Sequence, residues 1–390
     1  MDRRGKYIYG VIPRLDSGGV NANASFRFFI PEYSEAESKA GGMYRVRNTI
    51  EAVKESKTSN GVYTVPYQEV GAVVCDSAMV DYRQMPKEIL AKQLLTHQRV
   101  IEKIMGLGVT VIPMKLGTYA FDEDEVKLIL EKSYNLIKDI ADKIIEKIEM
   151  DVVASWADFT LILKEVSEDK EIKEFKEKLL SSGTKITADD QMKAGCMLKN
   201  ALDRKSEECT EKIQKHLETI NEGVRKHEVM DDKMIMNCAF LIDEAKKDEF
   251  YKRIEDLNDE FGEKVNFKCV GPLPVYSFYT LEVKRIQFSE VDSARKRLGI
   301  LSDWASEEDI KKAYKRQAIV YHPDKNQGRA EANMEFDQIK ESYNILLEYA
   351  AACRQTRLSD RQAGESRLAF IESEFKKNAI LVKVKNGKDW

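Results

Sequence analysis

Three kinds of pattern are missing from this sequence, and each absence removes a class of function. No apolar run approaches the roughly 20 residues of a membrane helix, and the basic start MDRRGKYIYGVIP lacks the apolar stretch and cleavage site of a signal peptide. A soluble, cytoplasmic protein with no membrane partner is expected. The six cysteines, at 75, 196, 209, 238, 269 and 353, include no C-x-x-C pair, which suits reduced thiols rather than a disulfide frame. Cys209, His216 and His227 lie in a charged stretch at no zinc spacing and read as solvated helix positions, so no metal is expected. There is no G-x-x-x-x-G-K-[ST] motif, and GLGV at Gly106 to Val109 lacks the spacing of a dinucleotide loop. No cofactor is expected. Lys and Arg number 63 against 67 Asp and Glu, a net charge of −4, so no global field favours nucleic acid.

What is present divides a 390-residue chain into several segments. KYIYGVI at Lys6 to Ile12 reads as a strand ending at Pro13, and residues 14 to 60 are polar and hard to assign. GVYTVPY and VGAVVC read as strands, Lys87 to Met105 as a helix, and Val109 to Met114 as a buried strand. From Asp122, the residues Val126, Leu130, Ile137, Ile140, Ile144 and Ile148 form one helical stripe that closes a first domain, 1–149. A second domain, 150–288, begins with MDVVASW, continues through charged helices over 168–226, and returns to a strand at Met234 to Ile242. A helix at about Lys246 to Phe261 and the strand VNFKCV complete it. Strand, helix, strand, helix, strand is the order of a small α+β sandwich. In VGPLPVYSF, Gly271 with Pro272 and Pro274 reads as a turn after a strand, with Tyr276 and Phe278 either touching a client or joining the core.

The run EEDIKKAYKRQAIVYHPDKN carries the strongest functional signal. Ser306 and Asp309 have capping-box spacing, and Glu307, Glu308 and Asp309 suit the positive end of a helix dipole. Ile310, Ala313, Tyr314, Ala318 and Tyr321 recur every three or four residues as a buried stripe, leaving Lys311, Lys312, Lys315 and Arg316 on the opposite face. Pro323 disfavours helical geometry at His322, so the helix ends there and His322 and Asp324 fall on a loop. A second helix follows, with Phe336, Ile339, Tyr343 and Leu346 facing inward.

With RLGI at Arg297 to Ile300, these segments make residues 289–352 resemble a DnaJ-type J-domain. The resemblance implies that His322, Pro323, Asp324, Lys311, Lys312, Lys315 and Arg316 bind an Hsp70 (DnaK-type) chaperone and stimulate its ATPase. Gln317 and Val320 depart from the family, where an apolar residue and a further cation are usual. Beyond lies a tail, 353–390, read as a helix at about Arg361 to Lys377 and a strand AILVKVK that pairs with a sheet edge in this chain or in a partner.

Four further stretches, YIYGVIP, HQRVIEKIMGLGVTVIPMKLGT, MIMNCAFLI and VNFKCVGPLPVYSF, stand in an order over residues 1 to 280 that resembles the gas vesicle GvpF/GvpL family. Leu273 and Val275 depart from that family's usual Trp and Pro. The resemblance implies two small α/β domains of ferredoxin-like type ahead of the helical J-domain hairpin. It also implies a non-catalytic assembly factor located on gas vesicles. Its partners would be the gas vesicle shell protein (GvpA-like) and other gas vesicle accessory proteins. A general co-chaperone for another client and a minor structural component of the vesicle are the alternatives. His97 with Glu102, and the tips of Tyr7 and Tyr9, are the tempting acid/base groups; packing and hydrogen bonding are the expected roles.

Overall fold

The computed structural model describes residues 4–14, 28–29, 61–82, 85–181, 186–322, 332–359, 367–375 and 379–385. They pack as two units, the first made of Met1–Asp142 with Tyr279–Lys385 and the second of Lys143–Phe278. The α+β class holds throughout. Compactness groups the segments differently from the four-part reading, because the J-like stretch and the tail belong to the same unit as the N-terminal α/β stretch.

In the first unit, β1 (Arg4–Ile12) is the centre of an antiparallel sheet ordered β2-β3-β4-β1-β5, formed with β2 (Phe28–Phe29), β3 (Gly61–Tyr67), β4 (Val70–Ala78) and β5 (Ile112–Pro113). Helix α1 (Lys87–Met105) turns His97, Val100, Ile101 and Ile104 inward. Of the expected strand at 109–114 only β5 is regular, and β6 (Tyr119–Ala120) adds a short pairing with β1. Helix α2 (Glu123–Ile144) buries Val126, Leu130, Ile137, Ile140 and Ile144. Ile148 is not on that helix. Glu146 takes a φ of 59°, which ends helical geometry, and Ile148 lies on the next strand.

That strand, β7 (Lys147–Trp156), opens the second unit. Helices α3 (Phe159–Ser167), α4 (Lys170–Ser181) and α5 (Ala188–Leu217) follow, then β8 (Asn221–Lys226), β9 (Met234–Asp243), α6 (Lys247–Phe261) and β10 (Val265–Leu273). The charged stretch 168–226 therefore ends in a strand, not a helix. With β8 counted, the order is β-α-β-β-α-β, and the sheet order β10-β7-β9-β8 is the ferredoxin-like arrangement. Alternation along β7 sends Ile148, Met150, Val152, Ala154 and Trp156 into the core, and Glu149 and Asp151 to the opposite face. Strand β10 runs through Gly271 and Pro272, so the turn comes after Leu273.

The C-terminal part of the first unit contains β11 (Leu281–Arg285), α7 (Phe288–Arg297), β12 (Trp304–Ser306), α8 (Glu307–Val320), α9 (Ala332–Ser359), β13 (Arg367–Ala369), α10 (Glu372–Phe375) and β14 (Ile380–Val384). Within the helix expected over 361–377, Arg367–Ala369 is instead a strand paired with β12, Glu372–Phe375 is helical, and 361–366 and 376–377 lie outside the described residues. The final strand pairs within the chain, with β11. One apolar cluster joins Ile286, Val291 and Leu298 to Ile310, Ala313, Ile339, Leu346 and Tyr349, and then to Leu368, Phe370, Phe375 and Leu381 from the tail. The tail completes the core of the hairpin.

Several contacts stitch this core to the N-terminal stretch of the same unit. Met114 forms a parallel bridge to Leu281, and Lys115 pairs with Glu282. Arg285 donates to Glu125 at 2.9 Å and to the Tyr119 carbonyl at 2.5 Å. Lys132, buried on α2, donates to Thr356 Oγ1 of α9 at 2.6 Å.

Candidate docking surface

Helix α8 begins where the sequence marks it. Ser306 Oγ accepts from the Asp309 amide at 3.1 Å, while the Asp309 carboxylate accepts from the Ser306 amide at 2.9 Å, a complete capping box. Those bonds hold the Asp309 carboxyl below its ordinary range. Ile310 and Ala313 are fully buried, Tyr314 stacks on Tyr343 with ring centroids 4.2 Å apart, and Glu307 pairs with Arg354. These contacts fix α8 against α9 and settle which face is outward.

The outward face carries Lys311, Lys312, Lys315 and Arg316, all exposed. Lys312 pairs with Glu308 at 2.9 Å, an i,i+4 contact in open solvent and energetically small. Among the described residues, Arg316 has no ion-pair partner. At the far end of α8, His322 is exposed, and its ring meets Phe336 of α9 edge-on at 5.6 Å. Pro323 and Asp324 lie outside the described residues. Ala318 and Tyr321 are half-buried, as is Gln317 at the position that departs from the J-domain pattern, while Ile319 and Val320 are exposed. The structure thus brings four cations and His322 onto one helix and its end.

The other candidate groups resolve into buried polar clusters. In the first unit, His97 is buried against the rings of Tyr7 and Tyr9, with Nδ1 2.7 Å from the Tyr7 hydroxyl. Burial lowers its pKa to about 4, so it is a neutral imidazole at pH 7. Burial likewise raises both tyrosines. Glu102 is exposed on α1, on a different face from His97, and the two do not form an acid/base pair.

In the second unit, a cluster that the sequence did not reveal surrounds Glu149. Its carboxyl accepts from the Ser277 amide at 2.8 Å and the Ser277 hydroxyl at 2.7 Å, and the same hydroxyl lies 3.1 Å from His227 Nε2. Burial, with Asp151 beside it, pushes Glu149 up to about 8, and burial raises Asp151 too. The cluster pins the 274–278 turn to the sheet. Phe278 is buried rather than presented to a client, and Tyr276 is half-buried. The only available signal was period-2 alternation, which places Glu149 and Asp151 on one face without naming their partners. Among the described residues no His, Cys, Asp and Glu group is arranged to hold a metal ion, and no helix is long and apolar enough to cross a membrane.

Fold and surface together define a two-unit α+β protein with a J-type helical hairpin. The model of the family described as "Gas vesicle synthesis protein GvpL/GvpF" matches residues 5–280, and the chain belongs to that family. The DnaJ domain model matches residues 296–351. Among solved structures, the gas vesicle protein GvpF from Anabaena sp. PCC7120 is similar at 18% identity and a TM-score of 0.53, covering 70% of this chain and 97% of that one. GvpF from Microcystis aeruginosa is similar at 17% identity and a TM-score of 0.52, covering 70% of this chain and 98% of that one. At such identities the likeness is one of fold. Both matched families are non-enzymatic, and the larger associates the chain with gas vesicles.

Proposed function

We propose that this chain is a gas vesicle assembly factor whose α/β segments hold apolar shell subunits while its J-domain recruits an Hsp70. The observation that carries this reading is the fusion itself. A GvpL/GvpF body and a J hairpin with an open cationic helix share one chain, and the hairpin core is completed by the chain's own tail. A shell subunit that assembles through strands and apolar surfaces exposes aggregation-prone edges before assembly. A binder that covers them, paired with an ATP-driven chaperone that releases them, meets that difficulty in the cytoplasm. His322, Pro323 and Asp324 would engage the ATPase together with Lys311, Lys312, Lys315 and Arg316, whose charge favours an acidic partner surface.

The test uses the full chain, because cutting after residue 288 would leave β11 without its partner β14. His322→Gln should abolish stimulation of Hsp70 ATP hydrolysis while retaining capture of purified shell protein over an unrelated apolar client. Normal stimulation by this variant would overturn the J-domain assignment. Equal capture of both clients would replace the vesicle role with that of a general co-chaperone. Stoichiometric flotation with purified vesicles would favour a structural component instead.

A further inference from the structure

The loop between α7 and α8 holds apolar side chains out in solvent on an unusually well-braced backbone. Leu301 is 82% exposed and Trp304 is 47% exposed. Arg295, itself only 9% exposed, sits beneath them. Its Nη1 donates to the carbonyls of Ile300, Leu301 and Ser302 at 3.4, 3.2 and 3.2 Å, and its Nε to Asp292 at 2.8 Å. The guanidinium also lies over the Phe370 ring at 5.6 Å. The following residues are held from the tail, where Trp304 pairs with Ala369 in the β12–β13 ladder and the Phe370 amide donates to the Asp303 carbonyl at 2.8 Å. Gly299 makes the entry turn at a φ of 76°, which a glycine adopts without strain. Such a loop cannot easily fold its apolar side chains inward, since the positions that do point inward, Ile300 and Ala305, already fill the core.

Beside the loop lies an open cleft of about 280 Å³, walled by Leu301 and Trp304 on one side and by Lys312 and Arg316 of α8 on the other. This falls below the roughly 300–1,000 Å³ of ligand and cofactor pockets and is on the scale of one or two side chains. Asp309 also lines the cleft, but its carboxylate is held by the Ser306 amide and hydroxyl in the capping box. Lys312 is itself paired with Glu308, so the charge that remains to meet a partner is that of Arg316, which belongs to the row assigned above to the Hsp70 surface.

We infer that the cleft is a second anchoring point for the same Hsp70, receiving a bulky apolar side chain flanked by acidic residues at the end of α8 remote from His322. The inference rests on the J-domain reading and extends it. The cation row and the His322 end supply attraction and triggering, while the Leu301 and Trp304 lips select which Hsp70 binds tightly. Continuity with the cation row favours this partner over the shell subunit. A rigid, preformed aromatic lip is also what an interface hot spot requires, because little ordering cost remains at binding.

The experiment titrates Hsp70 purified from the source cell into the full chain and follows ATP hydrolysis, comparing the unaltered protein with Trp304→Ala, Leu301→Ser and His322→Gln. Both cleft variants are expected to raise the half-saturating Hsp70 concentration about tenfold, the scale of one lost apolar anchor, with maximal stimulation unchanged. His322→Gln should lose stimulation at every concentration. Leu301→Ser removes a side chain with almost no packing, so an unaltered melting curve separates a docking effect from a folding one. Cleft variants that titrate like the unaltered protein, while His322→Gln is inactive, would overturn the second anchor and leave the J-domain reading standing. Full stimulation by His322→Gln would overturn both. Cleft variants that lose shell-protein capture but titrate normally with Hsp70 would assign the cleft to the client instead.

Discussion

The two units reach compactness by opposite routes. The second folds from one continuous stretch, Lys143–Phe278, whose sheet partners are all internal to it. The first joins Met1–Asp142 to Tyr279–Lys385, so its stability depends on contacts between residues far apart in sequence, such as Arg285 with Glu125 and Lys132 with Thr356. The contrast teaches that the J hairpin is built into its unit rather than hung from it. Its apolar cluster runs from Ile286 to Leu381, well beyond the matched segment 296–351.

The sharpest way to break this comparison is to strike the tail. Phe370→Ala removes a fully buried ring from the J core and should cost about 3–5 kcal/mol. Hydrogen exchange should rise over 286–359 and stay unchanged over 143–278; a uniform rise would show that the units do not unfold separately.

The units also bury titratable groups of opposite kind, which gives them opposite pH responses. Glu149 keeps its proton in the folded second unit up to about pH 8, whereas an unfolded glutamate releases it near 4.5. Across that window the unfolded state binds fewer protons, so stability falls as pH rises. Glu149→Gln should flatten the decline in the second unit, measured by denaturant melts from pH 5 to 9, and an unchanged slope would remove Glu149 as its cause. His97 runs the other way, since the folded first unit keeps the imidazole neutral down to about pH 4 while the unfolded chain protonates near 6.5. Stability is lost as pH falls through that window, by about 3 kcal/mol, and His97→Gln should reduce the loss. Thr356→Val is the mildest probe. It removes the bond from Lys132 to Thr356 Oγ1 and should cost about 1 kcal/mol, read as lower exchange protection in α2 and α9.

Local signals in the sequence marked the elements whose determinants are themselves local. Helix α1 occupies the expected 87–105, and the Ser306 and Asp309 box starts α8 where spacing placed it. The misreadings fall where distant contacts decide. Ile148 sits four residues after Ile144 and extends the helical stripe on paper, yet pairing with Ile242 of β9 claims it for a sheet, with no Gly or Pro to mark the change. Strand β8, NEGVRK, is an edge strand of half-exposed polar residues and carries no alternating apolar code. Leu368 and Phe370 suit either period, and pairing with Trp304 and Ala305, more than sixty residues earlier, made the choice. At the candidate surface the four cations were legible because α8 is regular. The cleft was not, because its lips depend on Arg295 bracing a loop from below.

Gln355 presents one last feature at the edge of β14. Its side-chain amide donates to the Val382 carbonyl at 2.5 Å and accepts from the Val382 amide at 3.1 Å, on the side of the strand turned away from β11. A carboxamide offers the same donor and acceptor as a peptide unit, so this side chain occupies the place where a further strand would add. The chain thereby closes one of its own sheet margins with a group that cannot be extended. Replacing that glutamine would turn a finished border back into a template.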